Sequence, residues 1–280
     1  MTSHSETLFV SATSVAETYA GLPGLRMALV TGSLARGIAD DSSDIDLHLY
    51  WDRADGAPLL AEPRARAAGA ALVFALPTEH GCFEKYRIDD RYVDVESLAI
   101  DVLDRAASSL DDAAPLRTGV AKVAAGIRDA TALVGGDELR AWRSRFVMSD
   151  AVAAAEVHAR APRLLSVRAL HDLTAARGDV LGYSARASAV LLDAVGILAA
   201  AQRAFVPVDD PKWMPWHLGR LALRPARTVE RIDAALRSPD VDTTDDVDRL
   251  IVDILDLADR HIPGVDSRRA RFALAMRPRP

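Results

Sequence analysis

The chain is poor in cysteine, in lysine and in long apolar runs, and each shortage excludes a class of protein. Cys82 is the single cysteine among 280 residues, so no disulfide can form within the chain. The sequence contains no run of 18 apolar residues and no positively charged leader with an apolar core. We therefore expect a cytoplasmic protein with no membrane partner.

A basic excess is also missing, because 34 Lys and Arg residues stand against 40 Asp and Glu residues, for a formal net charge of −6. Proteins that bind the backbone of long nucleic acids usually do so through clustered basic residues. The composition therefore argues against a polymerase that acts on long DNA or RNA. The length suits two ordinary domains.

The most informative pattern runs from Met27 to Trp51. The apolar run from Met27 to Val30 predicts a short buried strand, and Gly32-Ser33 interrupts it. Asp44 and Asp46 then alternate with apolar residues, which on a strand places both carboxylates on one face. His48 shares that face, and we expect it to lie near a bound metal rather than to ligate it.

Two carboxylates on one strand face repel each other unless a cation lies between them. Oxygen ligands suit Mg²⁺, which completes its coordination with water and substrate phosphates. A Gly-Ser turn between a strand and a helix start offers backbone N–H groups and a hydroxyl to phosphate. The pattern predicts a nucleoside triphosphate held at Gly32 and Ser33, and through Mg²⁺ at Asp44 and Asp46. The alternative is that these acids are solvated residues on an exposed sheet face.

The order of these parts, Gly-Ser followed after about ten residues by Asp-x-Asp in an apolar strand, resembles the DNA polymerase β-type nucleotidyltransferase superfamily. The resemblance implies a third carboxylate on a later strand. Asp94 fits because it lies between two valines, and Glu96 on the same face remains an alternative. The resemblance further implies two Mg²⁺ ions held by Asp44, Asp46 and Asp94, with ATP or another NTP as co-substrate.

Three further strands are predicted at residues 70–76, 83–88 and 91–100, the last two joined by a hairpin turn at Asp89-Asp90. Residues 59–69 form a candidate helix. In this arrangement Lys85 lies on the face that carries the acids. Two interpretations stay open for Lys85: it binds the triphosphate, or it is the cross-strand ion-pair partner of an acid.

From about residue 101 onward, Ala, Leu and Arg recur at helical spacing and strand patterns stop. The predicted fold class is therefore α+β. A nucleotidyltransferase-type mixed sheet with flanking helices occupies residues 1–102, and an all-α helical bundle occupies residues 103–280. The bundle is a candidate interface for a homodimer.

The segment from Val206 to Trp216 interrupts this bundle with three prolines, Lys212 and two tryptophans. It resembles Pro-Lys-Trp segments in the helical C-terminal regions of some bacterial nucleotidyltransferase-domain proteins. That resemblance implies that Lys212 meets a triphosphate or substrate. The simpler interpretation is an interhelical turn in which Trp213 and Trp216 fill the bundle.

Together, the resemblance implies an enzyme that moves a nucleoside monophosphate, AMP in the simplest case, to a hydroxyl of an acceptor and releases pyrophosphate. One catalytic domain followed by a helical lobe is similar to the aminoglycoside and lincosamide nucleotidyltransferases, and an acidic chain suits a cationic small-molecule acceptor. Two alternatives remain. One is nucleotidylation of a protein or tRNA, as in antitoxin-type nucleotidyltransferases, and the other is a non-catalytic nucleotide-binding or interaction module.

Overall fold

Six strands form one mixed sheet in the computed structural model, which describes residues 3–53, 69–79 and 81–275. The strands are β1 (Leu25–Val30), β2 (Ile45–Trp51), β3 (Ala71–Thr78), β4 (Gly81–Ile88), β5 (Arg91–Ala99) and β6 (Thr131–Val134). Their spatial order is β3-β4-β5-β2-β1-β6, and β2 and β5 run parallel while the other neighbours run antiparallel. The predicted mixed sheet is confirmed. The candidate helix at residues 59–69 falls on positions that, apart from Gly69, lie outside the described residues.

The described residues also contain α-helices in both parts of the chain, as the α+β prediction required. They are α1 (Ser3–Ala20), α2 (Gly32–Ala35), α3 (Asp101–Ser108), α4 (Val120–Asp129), α5 (Gly136–Arg145), α6 (Asp150–Arg160), α7 (Val167–Leu173), α8 (Val180–Ala200), α9 (Met214–Gly219), α10 (Thr228–Arg237), α11 (Val241–His261) and α12 (Arg268–Ala275).

One face of the sheet is sealed by α1, and this leaves the acids on the other face. The buried apolar residues that form this core are Leu8, Ala12, Val15, Ala16 and Tyr19 of α1 with Ile45, Leu47, Leu49, Val93 and Val95 of the sheet. Burial of each large aliphatic side chain stabilises the fold by about 1.5–3 kcal/mol. Because side chains alternate along a strand, the residues between these apolar positions point to the opposite face.

The hairpin between β4 and β5 turns at Asp89-Asp90, with Ile88 paired to Arg91. Asp89 has φ +52°, in the left-handed region that tight hairpin turns require and that Asp tolerates better than most residues. The turn predicted at this position is confirmed, and it fixes the register that brings Lys85 opposite Asp94.

The short strand β6 corrects the expectation that strands end near residue 101. Its four residues pair antiparallel with β1, with Leu29 opposite Ala132 and Val30 opposite Thr131. Thr131–Val134 is too short to show an alternating pattern of its own, because a run of four apolar or small residues fits a strand or a helix equally well.

The contacts between Cα atoms divide the chain into two compact units. The first comprises residues 1–108 and 123–146, and the second comprises residues 109–122 and 147–280. This division differs from the predicted boundary at residues 102 and 103 because β6, α5 and most of α4 return to the sheet. We call the two units the sheet unit and the helical unit.

The helical unit is built around α8, whose apolar residues include Ala187, Leu191 and Leu198 in the core. By length and composition, α8 is the one helix in the described ranges long and apolar enough to cross a membrane. Asp193 interrupts its apolar sequence and accepts hydrogen bonds from Arg160 at 3.1 Å and from Arg163.

Candidate functional site

The turn that follows β1 brings Gly32 against the carboxylate of Asp46. Gly32 has φ +63°, and a Cβ atom at this position would overlap the Asp46 carboxylate. The backbone N–H of Thr31 donates to the carbonyl oxygen of Asp46 at 2.9 Å, which fixes the turn to β2. Glycine is therefore required here both for its positive φ and for the space that the carboxylate occupies.

Ser33 is the second residue of this turn and begins the four-residue helix α2 together with Gly32. The residue is buried, as is Thr31 before it. The backbone N–H of Ile38 donates to the carbonyl oxygen of Ser33 at 3.0 Å, and that of Arg36 donates to the carbonyl oxygen of Gly32 at 3.3 Å. The structure thus places the two predicted phosphate-binding residues in a compact turn beside Asp46.

Asp46 and Asp94 face each other across the parallel pair β2 and β5. The register pairs Asp46 with Asp94, while their apolar neighbours pair beneath them as Ile45 with Val93 and Leu47 with Val95. Adjacent strands lie roughly 4.8 Å apart, so the two carboxylates rise from neighbouring positions on one face. The sequence pattern predicts which residues of each strand share a face. It does not predict which residue of β2 is paired with which residue of β5.

Lys85 of β4 lies beside Asp94 on the same sheet face, because the antiparallel register of β4 and β5 pairs these two residues. Its Nζ atom lies 2.7 Å from Oδ1 of Asp94 and 3.6 Å from Oδ2 of Asp44, which immediately precedes β2. Oδ1 of Asp94 is buried and accepts no hydrogen bond of acceptable geometry from the described residues, so the close approach of Lys85 is an ion pair rather than a well-directed hydrogen bond. The structure shows the cross-strand ion pair, one of the two interpretations of Lys85, and triphosphate binding by Lys85 stays a prediction.

The charge of Lys85 is favoured by this environment. Burial lowers the pKa of Lys85, but the carboxylates of Asp94 and Asp44 raise it by more, so that the net pKa lies above its ordinary value. The ring of Tyr92, with its centroid 5.0 Å from Nζ, adds a cation–π contact. Tyr92 was missed in the sequence, although its position two residues before Asp94 places it on the same face.

Glu96 lies two residues after Asp94 on the same face of β5, and its side chain meets a different residue of β2. The register pairs it with His48, and Nε2 of His48 lies 3.4 Å from Oε2 of Glu96. Burial raises the pKa of the nearby Tyr50 hydroxyl, and the Glu96 charge raises it further. Between the two candidates for the third carboxylate, Asp94 is therefore the one aligned with Asp46.

A buried polar cluster under the sheet was also missed. Glu84 precedes Lys85 and consequently points to the opposite face, where the Tyr86 hydroxyl donates to it at 2.6 Å and the Tyr19 hydroxyl at 3.2 Å. Burial raises the pKa of Glu84, and the two hydroxyl donors offset part of that rise. The β4 register, once known, would have indicated this burial, because Glu84 falls on the apolar face.

Lys212 belongs to the helical unit, where it is exposed in the segment between α8 and α9. Nearby, Nζ of Lys122 lies 2.6 Å from Oδ2 of Asp210. Trp213 has φ +57° and is 45% exposed, so the expectation that it fills the bundle is wrong. Trp216 is partly buried and has the Arg220 guanidinium 4.7 Å from its ring centroid. The triphosphate role of Lys212 stays a prediction.

The donor types on this face fit Mg²⁺, because carboxylate oxygens are its preferred protein ligands. Within residues 3–53, 69–79 and 81–275, however, no group of three or more His, Cys, Asp and Glu side chains is arranged to hold a metal ion. The nearest cation to Asp44 and Asp94 is the Lys85 ammonium. The carboxylates are thus of the right kind and on one face, and Lys85 sets their present arrangement.

No protein-family model and no curated protein matches the chain. Among solved structures, the chain is similar to a nucleotidyltransferase-like protein from Exiguobacterium sibiricum 255-15. The TM-score is 0.40 and the sequence identity 13%, over 90% of this chain and 74% of that one. A similarity of this size assigns no function, so the site itself has to carry the assignment.

Proposed function

We propose that the sheet unit is a magnesium-dependent nucleotidyltransferase site that moves a nucleoside monophosphate from an NTP, with ATP the first choice, to a hydroxyl of an acceptor. The observation that carries the proposal is the in-register pairing of Asp46 with Asp94 beside a turn in which Gly32 leaves room for the Asp46 carboxylate. A row of acids next to a Gly-Ser turn suits a metal-bound triphosphate better than it suits a solvated sheet face.

Each residue has a role in this proposal. Asp44, Asp46 and Asp94 would hold Mg²⁺, which supplies charge neutralisation at the phosphates and activation of the acceptor hydroxyl. Backbone N–H groups near Gly32 and the Ser33 hydroxyl bind the β- and γ-phosphates. The hydroxyl oxygen of the acceptor forms a bond to the α-phosphorus of the NTP, and the bond between that phosphorus and the leaving pyrophosphate breaks. Asp94 accepts the proton that the acceptor hydroxyl loses.

The acceptor is proposed from charge and architecture. An acidic protein attracts cationic molecules, and a small cationic acceptor of the aminoglycoside kind is consistent with the net charge of −6. Lys212 remains a proposed ligand of the leaving pyrophosphate. Nucleotidylation of a protein or tRNA is the alternative within the same chemistry.

One observation favours a second function, a non-catalytic nucleotide-binding module. Lys85 offsets one of the two negative charges of Asp94 and Asp44 within the chain itself, so the repulsion between these acids is reduced without a metal. Pyrophosphate release separates the two functions. A catalytic site releases pyrophosphate from ATP when a suitable hydroxyl acceptor is present, and a binding module does not.

The first experiment is calorimetric titration with a non-hydrolysable ATP analogue in the presence and absence of Mg²⁺. We expect Mg²⁺-dependent binding by the wild-type protein, and loss of binding in Asp46→Asn and Asp94→Asn. Glu96→Gln is the matched control, because it removes a charge from the same strand face at a position paired with His48. Equal binding by all four proteins would contradict the proposed site.

Turnover is measured next as pyrophosphate release with a panel of acceptors, aminoglycosides first. We expect Asp46→Asn to lower the rate by about a thousandfold or more, equivalent to about 4 kcal/mol in the barrier. Folded Asp46→Asn protein with wild-type turnover would rule out the catalytic role.

A further inference from the structure

The ammonium group of Lys85 occupies the place where a cation would bridge the candidate metal-binding acids. It lies 2.7 Å from a carboxylate oxygen of Asp94 and 3.6 Å from one of Asp44. The Lys85 side chain is about one-fifth exposed, as is that of Asp94, so solvent screens this ion pair only in part. Few lysines are available for such a role, since Lys85, Lys122 and Lys212 are the three in the sequence.

A metal ion and this ammonium group compete for the same atom. Magnesium binds carboxylate oxygens at about 2.0–2.1 Å, whereas the Lys85 nitrogen lies 2.7 Å from Oδ1 of Asp94. Two cations that close to one oxygen repel each other strongly in a partly buried site. Binding of a metal ion at Oδ1 of Asp94 therefore requires the ammonium group to move.

We propose that Lys85 is an internal counter-ion of Asp44 and Asp94 in the metal-free protein, and that a divalent cation must displace the ammonium group in order to bind Oδ1 of Asp94. The proposal rests on the proposed function for the identity of the incoming cation. The Tyr92 ring offers the displaced ammonium a second contact, because its centroid already lies 5.0 Å from Nζ.

The role of Lys85 is tested by Mn²⁺ titration of the full chain without nucleotide, with free Mn²⁺ measured by electron paramagnetic resonance. We expect Lys85→Met to bind Mn²⁺ about tenfold more tightly than the wild type, because one competing positive charge is removed. Lys85→Arg keeps the charge and should bind about as weakly as the wild type. Lys122→Met is the matched control, since it breaks a lysine–aspartate pair in the helical unit and should leave the affinity unchanged.

A second measurement reads the effect of the cation in the wild-type protein itself. The side-chain Cε signals of lysine are followed by NMR as Mg²⁺ is added to ¹³C-lysine protein, and three lysines make assignment by single Lys→Arg variants practical. We expect the Lys85 signal to shift on saturation with Mg²⁺ and the Lys122 signal to stay in place.

The outcomes separate this inference from the proposed function. Equal or weaker Mn²⁺ binding by Lys85→Met, or a Lys85 signal that does not move while Mg²⁺ binds, overturns the counter-ion role and leaves the nucleotide site standing. Tighter binding by Lys85→Met without any Mg²⁺-dependent ATP binding supports the counter-ion role and overturns the proposed function. Absence of cation binding in every nucleotide-free protein overturns the counter-ion role, and the calorimetric titration with the ATP analogue then decides the proposed function separately.

Discussion

The acids on the sheet face opposite α1 differ in the basic side chain that each one meets. Asp94 meets the Lys85 ammonium, while Glu96 lies beside the His48 imidazole. The primary ammonium is a compact, fully charged donor, whereas a histidine is charged only when it is protonated. Asp94 and Glu96, which share one face of β5, therefore pair with different residues of the neighbouring strands and have different electrostatic surroundings.

Gly32 is predicted to be essential for the shape of the site. Gly32→Ala adds a Cβ atom into the Asp46 carboxylate at a backbone φ of +63°, so we expect a loss of about 1–3 kcal/mol in the free energy of unfolding and loss of Mg²⁺-dependent nucleotide binding. Urea unfolding and calorimetric titration measure the two effects.

Gly37→Ala is the control for Gly32→Ala, because Gly37 has a similar φ of +72° with no atom within 4 Å of an added Cβ. It should lose stability from backbone strain and keep nucleotide binding. Loss of binding in both variants would show that the turn conformation, rather than the space beside Asp46, is what matters.

Glu84 is predicted to make stability depend on pH. Burial raises its pKa in the folded protein, so its contribution to stability is fully present below its ordinary pKa of about 4.3 and is lost as the pH rises through the raised value. We therefore expect the unfolding free energy of the wild type, relative to that of Glu84→Gln, to fall as the pH rises from about 4.3 through the raised pKa.

Urea unfolding of the two proteins across this pH range measures the effect, because the glutamine does not titrate and other groups cancel in the difference. A constant difference would show that Glu84 keeps an ordinary pKa. In that case the two tyrosine hydroxyls that donate to it would offset the whole cost of burial.

Among the secondary-structure elements, β2 and β5 show what the sequence could and could not predict. Alternation of acids with apolar residues fixed which side chains share a face, and the hairpin at Asp89-Asp90 fixed the pairing of β4 with β5. The parallel pairing of β2 with β5 joins segments about fifty residues apart in the chain, and neither local propensity nor a turn specifies it. The alignment of Asp46 with Asp94 is therefore a tertiary result.

The starts of helices also include one contact that is local in the sequence and one that is not. In the acid-rich segment near residue 240, Asp240 caps α11 by accepting a hydrogen bond from the N–H of Thr243 at 2.8 Å, which is the usual role of an acid at a helix start. Asp248 in the same segment caps a different helix, because its carboxylate accepts hydrogen bonds from the Ser166 hydroxyl and the Val167 N–H at the start of α7. Contacts over 80 positions apart are not visible in sequence spacing.

Asp248 is predicted to stabilise the helical unit through this contact. Asp248→Ala leaves the Val167 N–H without its carboxylate acceptor, so we expect a loss of about 1–3 kcal/mol in the free energy of unfolding. Asp248→Asn keeps an acceptor oxygen and should lose less. Urea unfolding followed by circular dichroism compares the three proteins, and equal losses in both variants would show that the charge rather than the hydrogen bond is needed.

At the scale of the described molecule, several arginines lie beside carboxylates. In the helical unit, Arg160 lies against Glu156 and Asp193, and Arg231 against Asp246 and Asp253. Arginines paired in this way contribute little to an extended basic surface. The expectation that the chain binds no long nucleic acid is consistent with this pairing and stays a prediction.

The division into two units predicts which fragments of the chain can fold. Ending the chain at residue 102 removes β6, so that β1 loses its partner on one side, and it removes Asp129, which lies 3.3 Å from the largely buried Arg36 guanidinium. Breaking this largely buried ion pair destabilises the sheet unit further. We therefore expect fragment 1–146 to unfold cooperatively in urea and fragment 1–102 to show no cooperative transition.

Fragment 1–122 is the control for length, because it adds residues but not β6, and it should behave like fragment 1–102. Cooperative unfolding of fragment 1–102 with the same midpoint as fragment 1–146 would instead place the end of the autonomous sheet unit at residue 102 and make β6 an accessory strand.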